Sequence, residues 1–279
     1  MFPGASASRA DADYVIVGAP LDISTTFQPG TRFGPRRIRT FAETFDDYDR
    51  RTDQRFSDLS VHDQGDVRSW HDVPDYIKHL SGTLRDIVWD EAVPLLVGGE
   101  HTVSAAGVRA TEPELFVCLD AHLDLRAEYD GDEWSHACVT RRVLREVEEA
   151  IIVGARTGSE AEWERAAKGD VTVVPPEDAS AWLQAVVGGA RDPFSNKKTY
   201  LSVDIDGADP GFAPGTGTKE PFGLSPREMR GVVRAVATHC VGFDVVEVND
   251  RDDGQAAALG GKLLREFVHT HAHATDRTV

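Results

Sequence analysis

The chain has 279 residues, with 47 acidic against 30 basic side chains and a formal net charge of −17. This acidity argues against a nucleic-acid binder, because affinity for phosphates requires clustered lysine and arginine. Hydrophobic residues make up 41% of the chain, which supports a sizeable core and argues against disorder. Three cysteines are too few for a disulfide framework, so we expect a cytoplasmic protein. We expect neither a signal peptide nor a membrane span, because no long apolar run is visible.

Short apolar runs rich in β-branched residues alternate with helical patterns along the chain. In chain order they predict a strand at Tyr14–Val17, a helix opened by Pro74, strands at Pro94–Val97, Leu115–Leu119, Ile151–Val153, Val171–Val174 and Thr199–Val203, a helix opened by the capping box Ser225–Glu228, a strand at Val241–Val246 and a closing helix at Gln255–Val268. This alternation predicts a single three-layer α/β/α domain over residues 1–279, with a central, mostly parallel sheet. We expect a soft N-terminus at residues 1–12 and a polar tail at residues 270–279.

Three of the predicted strands end in residues that are suited to holding a metal. Ligands of open parallel sheets bind beyond the carboxyl ends of the strands, and alternate side chains of an extended segment share a face. Each feature alone is more often a helix cap or a hydrogen-bonded core histidine, but their convergence favours metal. Four carboxylates balance two divalent cations, and oxygen-rich ligands favour a hard ion such as Mn²⁺. The two histidines and four aspartates concerned are His101, Asp120, His122, Asp124, Asp204 and Asp206.

The motifs around these residues resemble the signature motifs of the ureohydrolases, the arginase and agmatinase superfamily. They are Gly98-Gly99-Glu100-His101-Thr102, Asp120-Ala121-His122-Leu123-Asp124 and the segment Ser202–Pro210. The resemblance runs from about Gly18 to the final helix and implies an arginase-like fold, a homo-oligomer (trimer or hexamer) and two Mn²⁺ ions per chain. It implies that His101 and Asp124 serve one ion and that His122 and Asp206 serve the other, with Asp120 and Asp204 bridging both.

The resemblance also implies an activity on a small guanidino substrate. The leading interpretation is an agmatinase, in which a metal-bridging hydroxide attacks the guanidinium carbon of agmatine and releases urea and putrescine, a step of polyamine biosynthesis. His136 falls where the family keeps a histidine that shuttles protons, and Glu247 matches the glutamate that binds the guanidinium group. The plainer alternatives are a helix-start histidine bonded to backbone and a salt-bridged surface glutamate.

The choice of substrate rests on fewer residues. Glu100, where arginases have aspartate, favours the agmatinase branch. Arg126 lies where the family contacts the substrate tail, and a cation there favours a carboxylate instead. Three nearby acids could receive the terminal ammonium group of agmatine: Asp130, Asp132 and Glu133.

Other functions stay open at this point. The same scaffold supports guanidinobutyrase, formimidoylglutamase, arginase and aminopropylagmatine ureohydrolase activities, and a metal-free binding or regulatory relative is a lesser alternative. Two departures from the family pattern lie outside the proposed ligands: Phe222-Gly223 replaces a usual Gly-Gly pair, and Asn249-Asp250 stands where many relatives have a proline.

Some other features indicate no site. We reject a thiol nucleophile built from Cys138 and His136, because the metal set already supplies a nucleophile. Three alternating histidines near the C-terminus (His269, His271 and His273) indicate a frayed polar tail rather than a metal site. The aspartate-rich, lysine-poor composition predicts adaptation to high salt better than long-range attraction of a cationic substrate.

Overall fold

A computed structural model describes residues 1–275 of the chain. This part contains ten strands: β1 (Tyr14–Ala19), β2 (Tyr48–Asp49), β3 (Gln54–Arg55), β4 (Val61–Asp66), β5 (Val93–Gly98), β6 (Leu115–Leu119), β7 (Glu149–Val153), β8 (Val171–Val174), β9 (Thr199–Asp204) and β10 (Cys240–Val246). Eight of them form one sheet in the order β4-β1-β5-β10-β9-β6-β7-β8, and β2 and β3 form a short hairpin. Every pairing in the large sheet is parallel, which confirms the predicted sheet.

Helices cover both faces of the sheet because the strands bury alternate side chains in opposite directions. The same part of the chain contains α1 (Gly34–Ala42), α2 (Val73–Trp89), α3 (Ser104–Thr111), α4 (Val139–Val143), α5 (Glu160–Ala166), α6 (Pro176–Val187), α7 (Pro226–Val236) and α8 (Gln255–Thr275). Tyr14 and Ile16 of β1 pack into the core that holds α1, α7 and α8, whereas Val15 and Val17 pack against α2 and α3. The three-layer α/β/α architecture is therefore as predicted.

Both ends of the described chain pack against the core. Phe2 is 1% exposed and contacts the Phe56 ring, so the predicted soft N-terminus is wrong at this residue. Helix α8 continues to Thr275, and His271 Nδ1 lies 2.8 Å from the Tyr14 hydroxyl. The predicted polar tail is therefore wrong for residues 270–272, which are buried, whereas residues 273–275 are exposed; His269 and His271 also face the core. The rest of that predicted tail, residues 276–279, lies outside the described residues.

The order of the strands decides where a site can form. The four neighbouring strands β5, β10, β9 and β6 are parallel, so their carboxyl ends meet at one edge of the sheet. Gly99, after β5, lets the segment that follows β1 approach closely, since a Cβ there would lie 1.9 Å from the Leu21 carbonyl oxygen. Within residues 1–275, no helix combines the length and the apolar character needed to cross a membrane.

Candidate metal centre and active site

All six predicted ligands lie at this carboxyl edge. They follow three strands that the sheet holds in fixed register, and five of them are buried, with at most 6% of their surface exposed. The exception is His122, whose side chain is 25% exposed. The cluster is therefore open to solvent on that side. The six residues, in chain order, are His101 after β5, Asp120, His122 and Asp124 after β6, and Asp204 and Asp206 at the end of β9.

One half of the cluster surrounds His101. Its Nδ1 atom lies 3.0 Å from Asp124 Oδ2, 3.2 Å from Asp120 Oδ2 and 3.4 Å from Asp204 Oδ2. Asp124 reaches this position with a left-handed backbone, at φ 51°, which is uncommon for a residue other than glycine. A single imidazole nitrogen therefore faces three carboxylates that come from two different strands.

The other half surrounds His122. Its Nδ1 atom lies 3.0 Å from Asp206 Oδ2 and 3.6 Å from Asp120 Oδ1. Since the second oxygen of Asp120 faces His101, this one carboxylate stands between the two histidines. The geometry is that of two adjoining donor groups that share Asp120.

The pKa shifts in the cluster indicate a shortage of positive charge. Burial, with the charges of Asp206 and Asp120 added, raises the pKa of Asp204 well above its usual range. Burial opposes charge on His122 as well, but Asp206 and Asp120 raise its pKa to about 12. Four crowded carboxylates with two imidazoles are short of positive charge, and divalent cations supply it. The donor set therefore fits a pair of hard divalent ions.

A second polar group, built around Glu247, adjoins the metal ligands. Glu247 follows β10 with a left-handed backbone, at φ 62°, and is 3% exposed. Its Oε1 atom accepts the backbone N–H of His101 at 2.8 Å and lies 3.2 Å from His136 Nδ1. Burial opposes charge on His136, but Glu247 raises its pKa to about 9. The alternative of a surface glutamate is excluded by this burial, and the His136 ring bonds a side chain as well as backbone.

The Glu247–His136 pair predicts a pH dependence of stability in the metal-free protein. The pKa of His136 is raised to about 9 from an ordinary value of 6.5, so the pair stabilises the fold fully below pH 6.5 and loses that contribution as the pH rises through 9. We expect the difference in free energy of unfolding between wild type and His136→Gln, measured by urea denaturation, to shrink between pH 6.5 and 9. A difference that stays constant across this range contradicts the prediction.

Glu100 has a supporting position that the sequence did not indicate. Its Oε2 atom accepts the backbone N–H groups of Ile23 and Ser24, at 2.6 and 2.8 Å, and its Oε1 atom accepts the Ser24 hydroxyl at 2.8 Å. The same Ser24 hydroxyl accepts the backbone N–H of His136 at 2.8 Å. Two residues further on, Thr26 donates its backbone N–H to His136 Nε2 at 3.2 Å. Glu100 therefore fixes the loop that positions His136.

A buried hydrogen-bond relay behind His101, formed by Ser202 and Asp244, was also not predicted from the sequence. His101 Nε2 lies 3.1 Å from Ser202 Oγ, and Ser202 Oγ donates to Asp244 Oδ1 at 2.6 Å. Both Ser202 and Asp244 have no exposed surface. An aspartate inside the apolar strand β10 was the available signal, because a buried carboxylate requires partners. The relay holds the far nitrogen of His101, so that Nδ1 faces the carboxylates.

The structure does not bring Arg126 into contact with the ligand cluster. Its Nε atom lies 3.3 Å from Glu162 Oε2, and its guanidinium carbon lies 5.2 Å from the centre of the Tyr129 ring. Of the three candidate acids for the substrate tail, Glu133 pairs with Arg142 and Asp132 accepts the Trp134 backbone N–H. The charge of Arg126 already has a partner, which weakens the argument for a carboxylate substrate.

The two departures from the family pattern lie on loops beside the site. Phe222 is 88% exposed and has a left-handed backbone, at φ 67°. Arg156 anchors the loop that contains Phe222. Its guanidinium donates to the backbone carbonyl oxygens of Asp206 and Glu220, at 3.0 and 2.6 Å. Asn249 is fully buried, and its backbone N–H donates to the Gly215 carbonyl. Neither departure displaces a predicted ligand from the cluster.

The geometry gives no support to a thiol nucleophile at Cys138. Burial, with the charge of Asp124 added, raises the pKa of its thiol to about 11, so the thiolate is scarce at neutral pH. Its Sγ atom contacts the Asp132 carbonyl oxygen at 3.9 Å, while the His136 ring contacts Glu247 and Thr26. A thiol nucleophile requires an adjacent base, and these contacts do not provide one.

Comparison with known proteins places this site in a family. The model of the arginase family matches residues 12–269. The agmatinase of Pyrococcus horikoshii is 34% identical over 261 residues, which covers 91% of this chain and 90% of the relative. The N(1)-aminopropylagmatine ureohydrolase of Thermococcus kodakarensis is 32% identical, over 91% of this chain and 88% of the relative.

Solved structures agree with the sequence relatives. The agmatine ureohydrolase of Thermoplasma volcanium superimposes with a TM-score of 0.90 at 30% identity, covering 100% of this chain and 96% of that one. The ligand cluster, its shared aspartate and the adjoining histidine–glutamate pair thus lie on a fold that this enzyme shares. The chain belongs to the arginase family and is a hydrolase of carbon–nitrogen bonds in linear amidines, with residues suited to the binuclear metal centre of that family.

Proposed function

We propose that this protein is a Mn²⁺-dependent agmatinase that converts agmatine and water into putrescine and urea. The observation that carries the proposal is the position of Asp120, which faces both His101 and His122. Such a shared carboxylate supports two adjacent ions rather than one. The agmatinase name of the Pyrococcus horikoshii relative and the engaged charge of Arg126 support agmatine as the substrate.

The metal ligands divide into two sets in this proposal. His101 and Asp124 would hold one ion, His122 and Asp206 would hold the other, and Asp120 and Asp204 would contribute to both. When bound, the ion pair supplies a water molecule acidic enough to act as a nucleophile near neutral pH. All six ligands are present in one cluster, which argues against a metal-free binding or regulatory relative.

Glu247 and His136 perform the remaining steps. The hydrogen bonds to Glu247 from residues 1–275 reach its Oε1 atom, which leaves Oε2 to accept N–H groups of the substrate guanidinium. This contact orients the guanidinium carbon towards the metal ligands. Glu247 Oε1 lies 3.2 Å from His136 Nδ1 and favours a proton on that nitrogen. His136 transfers that proton to the departing amine as the carbon–nitrogen bond breaks.

The relay behind His101 predicts an effect on metal binding. Asp244→Asn keeps the shape of the side chain and removes the charge that holds Ser202 against His101 Nε2. We expect it to weaken the binding of divalent ions about 10–100-fold, as measured by competition with a chelator. Asp178→Asn, on the exposed side of α6, is the control. Equal affinities in both variants would show that the relay does not support the ligand.

A substrate panel tests the choice of agmatine. Mn²⁺-loaded protein is assayed for urea release from agmatine, N(1)-aminopropylagmatine, guanidinobutyrate and arginine, and for formamide release from formiminoglutamate. We expect agmatine to give the highest kcat/KM. A higher value for guanidinobutyrate or arginine would reassign the substrate while keeping the reaction, whereas no product from any substrate would contradict the enzyme itself.

Further expectations belong to this proposal. By its family we propose that the protein is a homo-oligomer, trimer or hexamer. We also propose that each chain is a single domain and that the enzyme acts in the cytoplasm. Native mass from light scattering tests the oligomer. Running the panel at low and multimolar salt tests whether the acidic composition reflects salt adaptation, since long-range attraction of substrate fails at about 1 M salt.

A further inference from the structure

Phe27 occupies an unusual position on the segment that follows β1. It is 84% exposed, although a phenylalanine side chain gains free energy when it is buried. Its backbone is left-handed, at φ 60°, and the Gln28 N–H donates to the Thr26 carbonyl oxygen at 2.8 Å. This bond closes a three-residue turn of the rare, strained kind, with Phe27 at its centre. The ring contributes little to the core, and strain of this kind is concentrated at active sites and binding sites.

Contacts on both sides of Phe27 hold this turn beside the candidate active site. On one side, the backbone nitrogen and the hydroxyl oxygen of Thr26 each lie 3.2 Å from His136 Nε2. On the other side, Gln28 Oε1 accepts a hydrogen bond from the Lys219 ammonium group at 2.9 Å. The turn is therefore anchored both to the proposed proton donor and to the loop that follows β9.

The distance from His136 to Phe27 allows the aromatic ring to contact a bound substrate. The Thr26 nitrogen lies 3.2 Å from His136 Nε2, so standard backbone bond lengths place the Phe27 Cα at most about 8.5 Å from that atom. In the proposed function, His136 protonates the nitrogen that carries the polymethylene chain of the substrate, so this chain begins at the His136 ring. A phenylalanine side chain and a chain of four methylene groups each extend about 5 Å, which together spans the separation.

We propose that Phe27 is a specificity-determining residue whose ring packs against the polymethylene chain of the guanidino substrate. This inference rests on the proposed function, since it takes the position of the chain from the role of His136. The ring excludes water from the chain, and the hydrophobic effect favours the contact in proportion to the apolar area covered. Phe27 thereby selects guanidines that carry an unbranched apolar chain. Because the contact involves no pair of charges, high salt does not screen it.

A series of alkylguanidines tests this contact directly. Methylguanidine, propylguanidine and butylguanidine are measured as inhibitors of putrescine release from agmatine by the Mn²⁺-loaded protein. We expect Phe27→Ala to weaken inhibition by butylguanidine about tenfold and by methylguanidine less than about twofold, with propylguanidine between them. Phe27→Leu, which keeps an apolar side chain, should stay within about threefold of the wild type for all three. Equal effects on the three inhibitors, or no effect on any, overturn the proposal.

The kinetics of agmatine itself should show the same contact. Phe27→Ala is expected to raise KM about tenfold and to change kcat less than about twofold, since the ring covers the chain equally before and during the reaction. Trp89→Ala is the matched control. It removes an aromatic side chain that is 74% exposed at the end of α2, before the amino end of β5, and it should resemble the wild type.

The same measurements separate this inference from the proposed function. A wild-type protein that releases no putrescine contradicts the proposed function. An active wild type whose KM and inhibition constants are unchanged by Phe27→Ala contradicts only the role of Phe27. Light scattering tests a second copy of the chain as the occupant: a native mass that falls in Phe27→Ala, with unchanged inhibition constants, would overturn the substrate contact. Thermal denaturation should give the same midpoint for both proteins, because the ring is exposed.

Discussion

Asp120→Asn is expected to reduce the bound divalent ions from two per chain to one and to slow urea release roughly a thousandfold. Asp120 presents one oxygen to each histidine, so its charge serves both halves of the cluster. The amide has nearly the same shape but no charge, and a single ion is far less able to acidify a water molecule. Metal analysis after Mn²⁺ loading and a urea assay measure the two effects.

The control for this substitution is Asp192→Asn, an exposed residue that precedes the amino end of β9, whereas the ligands lie at its carboxyl end. It should bind two ions and release urea at the wild-type rate. If Asp120→Asn also retains both ions and most of its activity, Asp120 does not bridge them. If both variants lose metal, the loss reflects general loss of fold, which thermal denaturation would reveal.

His136→Asn is expected to lower kcat about 10²–10⁴-fold while leaving the metal content at two ions per chain. Glu247 Oε1, 3.2 Å from His136 Nδ1, favours a proton on the imidazole, which the ring can donate to the departing amine. Asparagine preserves a polar contact to Glu247 and cannot deliver a proton. Because substrate contacts are otherwise retained, the loss should fall on kcat more than on KM.

Added imidazole distinguishes a proton donor from a structural residue at this position. It should restore part of the activity of His136→Asn and leave the wild type unaffected. His71→Asn, on an exposed turn, is the matched control and should resemble the wild type. A wild-type kcat in His136→Asn would show that the amine receives its proton elsewhere.

The sheet could be predicted well where its strands are buried on both faces. Seven of the eight strands appear as apolar runs: the six inner strands, which have no polar side, and the edge strand β8, whose sequence is mostly apolar although it is partly exposed. The other edge strand, β4, reads Val61-His62-Asp63-Gln64-Gly65-Asp66 and buries only Val61 and Asp63, so it gives no apolar run.

The ligands could be predicted because each group is contiguous in sequence and follows a strand. The supporting contacts could not, because they join distant segments. Glu100 bonds Ser24 across 76 positions, and Ser202 bonds Asp244 across 42. Nothing local to either residue specifies its partner, which is determined by which strands become neighbours. The partner of Arg126 could not be predicted for the same reason, since Glu162 reaches it from α5.

The place of β10 in the sheet has a consequence for how the enzyme is made. Of the ten strands in residues 1–275 it is the last to be synthesised, yet it lies between β5 and β9. Until Cys240–Val246 emerges, the nascent chain has two half sheets with open edges, of the kind that recruit other unfinished chains. His101 stands on one half and Asp204 on the other. A chain that lacks β10 therefore has neither a continuous sheet nor a complete ligand cluster, and its open strand edges favour association with other chains.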